Sequence, residues 1–193
     1  MKKSLLLLAG MLLAGNVWAA ADVYTIDASH STVGFSAKHL MVAKTSGSFG
    51  DFAGTITYDP TDNAAFKAEA TIQATSINTN MPKRDDHLRT GDFLDVAKFP
   101  TITFVSKSLS GDTGSYTLVG DLTIKDVTKE VSIPVTIAGP AKGMGGEPII
   151  GLSGQLTINR QDYGVNWNKT LDNGGLAVSN EVNITVDLEA HKK

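Results

Sequence analysis

The chain contains no cysteine. That excludes disulfides, thiolate metal sites and cysteine nucleophiles, and it excludes a lipoprotein anchor, which needs a cysteine beside its cleavage point. An excess of positive charge is also missing: 17 Lys and Arg stand against 20 Asp and Glu, for a formal charge of −3. Neither nucleic acid nor an anionic membrane surface is expected as a main partner of such a chain. No apolar run reaches the roughly 20 residues that a spanning helix requires. The short-range catalytic spacings are absent too. There is no GxSxG nucleophile elbow and no HxH or HExxH pair. Gly143-Met144-Gly145-Gly146 lies between strand patterns with no helix after it, which makes it a flexible loop rather than a phosphate cradle.

What is present begins with a leader. Met1-Lys2-Lys3 is a basic n-region, Leu5–Val17 an apolar h-region, and Ala19-Ala20-Ala21 supplies small residues. This is the pattern of a secretory signal peptide over residues 1–21, with cleavage after Ala21 favoured and after Ala19 also fitting. Removing Lys2 and Lys3 leaves 15 basic and 20 acidic residues, a formal −5. The expected product is one domain over residues 22–193, secreted to the periplasm and not membrane-anchored. At that length roughly 70% of the unfolded surface is buried on folding, enough for a core without disulfides.

The mature chain alternates apolar and polar residues with period two. Val33, Phe35, Ala37 and His39 share one face; so do Phe66, Ala68, Ala70, Ile72 and Ala74. Short runs at Ile56–Tyr58 and Ile102–Phe104 follow the same rule. Cleaner runs are Tyr116–Ile124, Val131–Ile137, Ile150–Ile158 and Val178–Leu188. About eight half-buried strands with turn signals between them predict an all-β antiparallel sandwich or barrel. Glycines in the inward sets (Gly120, Gly154) fit either a tapering, coiled barrel wall or close approach of a ligand. Exposed edge strands leave a homodimer open.

One stretch breaks the alternation. Ser76–Val96 concentrates Lys83, Arg84, Asp85, Asp86, His87 and Arg89 within seven residues. Pro82 suits a first helical position with Asn80 as a cap upstream, and Gly91 suits the end, so a short helical segment is expected near residues 82–96. Two readings of its charges stand side by side. In the structural one, Asp85 and Arg89 form an i,i+4 pair while Arg84 and His87 bind loop carbonyls. In the functional one, Arg84, His87 and Arg89 flank a cavity mouth and bind a polar head group. A metal site built from His30, His39 or His87 with Asp27, Asp85 or Asp86 would depend wholly on tertiary structure; no metal and no cofactor are expected. His191, near the C-terminus, is read as tail without a role.

Several motifs, in register, resemble the YceI-like family. They are Asp27-Ala28-Ser29-His30-Ser31, Gly47-Ser48-Phe49 with Phe52-Ala53-Gly54, and Arg84-Asp85-Asp86-His87-Leu88-Arg89 leading to Asp92-Phe93-Leu94-Asp95 and Phe99-Pro100. Gly120-Asp121-Leu122-Thr123-Ile124 and Asn159-Arg160-Gln161-Asp162-Tyr163-Gly164 with Trp167-Asn168 complete the set. The resemblance implies a lipocalin-like up-and-down barrel that binds, without catalysis, a long-chain polyisoprenoid or an isoprenoid-quinone-like lipid. The alternatives are an accessory role in handling isoprenoid quinones for a membrane electron-transfer partner and an isoprenoid-modifying enzyme. The expected apolar lining is Phe35, Ala37, Ala70, Ile72, Phe104, Leu122, Leu156, Trp167 and Ile184, and the expected polar end is His39, Arg84, His87 and Arg89.

Overall fold

The computed structural model describes residues 21–171 and 174–193; the predicted leader through Ala20 lies outside them. In chain order the elements are β1 (Asp22–Ile26), β2 (Thr32–His39), β3 (Ala43–Phe49), β4 (Phe52–Tyr58), β5 (Lys67–Gln73), β6 (Ile77–Asn78), α1 (Pro82–Arg89), β7 (Thr101–Asp112), β8 (Ser115–Ile124), β9 (Val127–Lys142), β10 (Pro148–Asn159) and β11 (Val178–Lys192). The strands form one antiparallel sheet, and pairing of β1 with both β4 and β11 closes eight of them into the ring β1-β4-β5-β7-β8-β9-β10-β11. Closure removes free edges from that ring. Among the described residues no helix is long and apolar enough to cross a membrane.

The remaining strands branch from β11, whose fifteen residues change partner along their length. Its last residues pair with β1, while Val178–Asp187 pair with β2, which continues into β3 and the two-residue β6. Each strand pattern read from sequence falls on a strand, except that Phe66 and Ala74 lie just outside β5, and β1, β3 and β6 are additions to them. β3, Ala-Lys-Thr-Ser-Gly-Ser-Phe, has no apolar alternation to reveal it. It forms because its backbone is flanked on both sides by β2 and β6.

One end of the barrel is packed solid. Tyr24, Ile56, Tyr58, Phe66, Tyr116, Leu118, Val135 and Ile150 are buried there in one cluster. Burial, then the hydrogen bond with Tyr116, push the Tyr58 phenol up to about 12. Tyr24 is fully buried, and its hydroxyl has no hydrogen-bond partner among the described residues. A buried hydroxyl without a partner costs free energy. Tyr24→Phe is therefore expected to be neutral or to stabilise by about 1 kcal/mol, read as the shift in denaturant midpoint at unchanged m.

The glycine at position 120 has a packing reason. A Cβ there would lie 2.5 Å from the Phe104 ring and 2.6 Å from the Val105 carbonyl, so β7 and β8 can approach only with hydrogen at this site.

The charged stretch folds more tightly than expected. α1 ends at Arg89 rather than near residue 96, and Thr90, not Gly91, closes it: the Thr90 N–H and hydroxyl both donate to the His87 carbonyl. The residue before the helix is Met81, which has no side-chain cap, while Asn80 adopts a left-handed conformation at φ 60°. Pro82 sits at the helix start as its fixed φ favours.

Candidate ligand cavity

Above the packed end the barrel is hollow. A cavity of about 260 Å³ runs up the interior, and the atoms facing it are apolar. Its wall extends from Leu118 to Ile124 on β8 and from Leu152 to Ile158 on β10, a length of about 20 Å at roughly 3.4 Å per residue. Such a space is long and narrow. It suits an extended chain better than a compact ring system.

The wall follows from strand pairing. Side chains directly opposite each other across paired strands share a face. Ala70 opposes Phe104, which opposes Leu122, giving one run of inward side chains across β5, β7 and β8. From the other side of the ring, Phe35 opposes Ile184, which opposes Leu156. Ala37, beside Val182, and Ile72, beside Ile102, extend the two runs. All ten of these residues line the cavity, among them eight of the nine expected from sequence.

Trp167 does not. It stands one layer behind the wall, 5.2 Å from the Phe93 ring, and Phe93 is the residue that faces the cavity. His87 packs edge-on against both, at 5.0 Å from Phe93 and 5.1 Å from Trp167. The end of α1 and the turn after it thus bring Leu88, Phe93 and Leu94 into the wall. The sequence reading assigned no lining role to these three, because period-two alternation carries no signal in a short helix or a turn.

None of the four residues expected at a polar end lines the cavity. His39 is exposed at the end of β2. His87 pairs with Asp92 at 2.8 Å. Arg84 donates to the Thr79 hydroxyl at 2.7 Å and the Thr79 carbonyl at 2.9 Å. Arg89 donates to the carbonyls of Thr75 and Ile77 and pairs with Asp86 at 3.1 Å, not with Asp85. Asp85 is buried and accepts from the N–H and hydroxyl of Thr79. The segment before α1 has short strand pairing only at Ile77 and Asn78, and these side chains take up its remaining polar groups. Arg84→Ala is therefore expected to lower stability by about 1–3 kcal/mol while leaving affinity for a cavity ligand within a few-fold, measured by denaturant titration beside ligand titration.

Arg160 is a buried charged residue at the cavity wall. It follows β10 in a turn of 3-10 helix, is 5% exposed, and lends its stem to the cavity wall. Its guanidinium donates to the Val165 carbonyl at 2.6 Å, the Ser179 carbonyl at 3.0 Å and the Asn180 amide oxygen at 3.4 Å. Burial alone draws its pKa down. Burial likewise raises that of neighbouring Tyr163.

With that geometry in view, a YceI-like domain is matched over residues 24–190. The chain belongs to the YceI-like family. A UPF0312 protein of Staphylococcus aureus (strain MSSA476) is 41% identical over 167 residues, covering 86% of this chain and 95% of the relative. Among solved structures, BcnA of Burkholderia cenocepacia superposes with a TM-score of 0.75 at 28% identity, covering 85% of this chain and 98% of that one. The YCEI protein of Campylobacter jejuni follows at 0.69 and 33%, covering 81% and 90%. A polyisoprenoid-binding domain from Saccharophagus degradans shares the fold at TM-score 0.68 and 16% identity, covering 91% and 100%.

Proposed function

We propose that this YceI-like barrel carries or stores a long-chain polyisoprenoid, or a similar amphiphilic lipid, in its central cavity, and that it does so by binding alone. The observation that carries this reading is the cavity wall. It is long, narrow and apolar, and among the described residues no polar atom faces the space in which a chemical step would occur. An apolar ligand in such a pocket is held by area removed from water. Each buried methylene contributes about 0.8 kcal/mol, so two five-carbon units supply about 6–8 kcal/mol before association costs. The polyisoprenoid-binding domain from Saccharophagus degradans, alike in fold, supports the same ligand class.

The site of action in this reading is the periplasm. β1 begins at Asp22, so cleavage after Ala21 or Ala19 leaves the ring intact.

The test is a chain-length series. Isoprenoid alcohols or quinones of increasing length are titrated into delipidated protein and followed by native mass spectrometry. Affinity is expected to rise tenfold or more per added isoprene unit and to level off once the cavity is full. Affinity independent of chain length overturns the reading.

A further inference from the structure

The turn between β1 and β2 and the last residues of β11 form a second polar cluster, outside the barrel cavity. Asp27 accepts from the N–H and hydroxyl of Ser29, which fixes the turn and brings His30 back over it. β1 pairs with the end of β11, matching Thr25 with His191 and Ile26 with Ala190, and the Asp27 N–H donates to the Glu189 carbonyl. Glu189 and His191 are two residues apart on one strand and so share a face. That face is the one toward Asp27. On the other side of β11, Ile149 is in register with His191, which sets Glu147, in the turn before it, beside the same imidazole. His191 is therefore not a frayed tail: β11 runs to Lys192 because β1 pairs with it.

The donor atoms converge. One ligand atom each from Asp27, Glu189 and His191 lies within 4.8 Å of the others, and all three residues are half-buried. His191 Nε2 is 2.9 Å from Glu189 Oε1 and 3.7 Å from Asp27 Oδ2. His30 Nδ1 is 2.7 Å from Asp27 Oδ2 and 4.0 Å from Glu189 Oε1. A tetrahedral centre with bonds of about 2.0–2.1 Å has neighbouring donors about 3.3–3.4 Å apart, and these four separations straddle that value. The other ring nitrogen of His191 is 3.2 Å from Glu147. A carboxylate on the far nitrogen is the usual device for orienting a metal-bound imidazole.

Charge favours the same occupant. Every ion pair that Asp27, Glu189 and Glu147 make among the described residues is to a histidine, while nearby Lys192 pairs with Asp22. With neutral imidazoles the cluster carries three negative charges, and among the described residues no lysine or arginine pairs with them. A surface groove of about 330 Å³, lined by His30, Gly139, Ile149, Asp187 and Glu189 among others, reaches it from solvent.

We infer that Asp27, Glu189 and His191, with His30 as fourth ligand and Glu147 orienting His191, bind a divalent first-row transition cation. Mixed imidazole and carboxylate donors without sulfur suit Zn²⁺, Co²⁺ or Ni²⁺ rather than Cu(I), and two nitrogen donors disfavour Mg²⁺ and Ca²⁺. This site is independent of the lipid reading.

The test is calorimetric titration of untagged protein with ZnCl₂, with CoCl₂ as a spectroscopic probe. One Zn²⁺ per chain is expected at micromolar Kd or tighter, with visible absorption typical of tetrahedral Co²⁺. His191→Ala and the isosteric Asp27→Asn are each expected to weaken Zn²⁺ binding at least a hundredfold, and Glu147→Gln about ten- to hundredfold. Isoprenoid uptake should be unchanged in all three, so failure of one site leaves the other assessable. Absence of stoichiometric binding overturns the inference. So does binding that survives both His191→Ala and Asp27→Asn, which would be adventitious surface binding.

Discussion

Ala70→Trp is expected to reduce isoprenoid uptake at least a hundredfold while leaving the barrel folded. Ala70 lies mid-wall between Gly54 of β4 and Phe104 of β7, its side chain facing the cavity. An indole in place of a methyl group projects into a cavity of only about 260 Å³ and takes the place of a large part of the ligand. Overpacking a filled core costs about 1–3 kcal/mol, and here part of the added group enters open space. A hundredfold loss corresponds to about 2.8 kcal/mol, less than two isoprene units contribute. Thr71→Trp, on the next residue and the exposed face, is the control and should bind as the parent does. Equal uptake by the Ala70 and Thr71 variants would place the ligand outside the barrel.

The second large effect is on stability. Arg160→Met keeps most of the side-chain volume and removes the guanidinium. The carbonyls of Val165 and Ser179, both bonded to it now, then lose a charged donor in a buried setting. Bonds to charged groups contribute about 1.5–3 kcal/mol each, and stranded partners add their own desolvation. A loss of about 3 kcal/mol is expected, which for a chain of this size lowers Tm by roughly 6–12 °C. Arginine stays protonated across the accessible range, so the loss should be the same at pH 5 and pH 8. A Tm within about 2 °C of the parent would mean that the 160–165 turn and β11 hold together without this contact.

How much of this was legible in the sequence depends on what each residue's signal was. The strands alternate because one face is apolar and the other solvated, so period two grouped the eight wall residues by face, while barrel closure decided which face points inward. Period two is silent on short helices and turns, and Leu88, Phe93 and Leu94 entered the wall unannounced. Trp167 was misplaced for a related reason: an aromatic near the mouth can stack behind a wall residue as readily as stand in the wall. The charged helix was conspicuous, but charge density does not say where donors point. Arg84 and Arg89 turn toward the carbonyls of residues 75–79, whose backbone has little sheet pairing of its own. His191 was invisible as a site residue because its neighbours Asp27, His30 and Glu147 are distant in sequence. Only closure of β1 onto β11 joins them.

The proposed function rests on one claim, that the apolar cavity is a lipid site. The most direct measurement is mass spectrometry of an organic-solvent extract of the mature protein, purified from its native compartment. The expected result is an isoprenoid in near-stoichiometric amount, absent from the extract of the Ala70→Trp variant. An empty parent protein that also fails to take up isoprenoid alcohols or quinones in vitro would contradict the account.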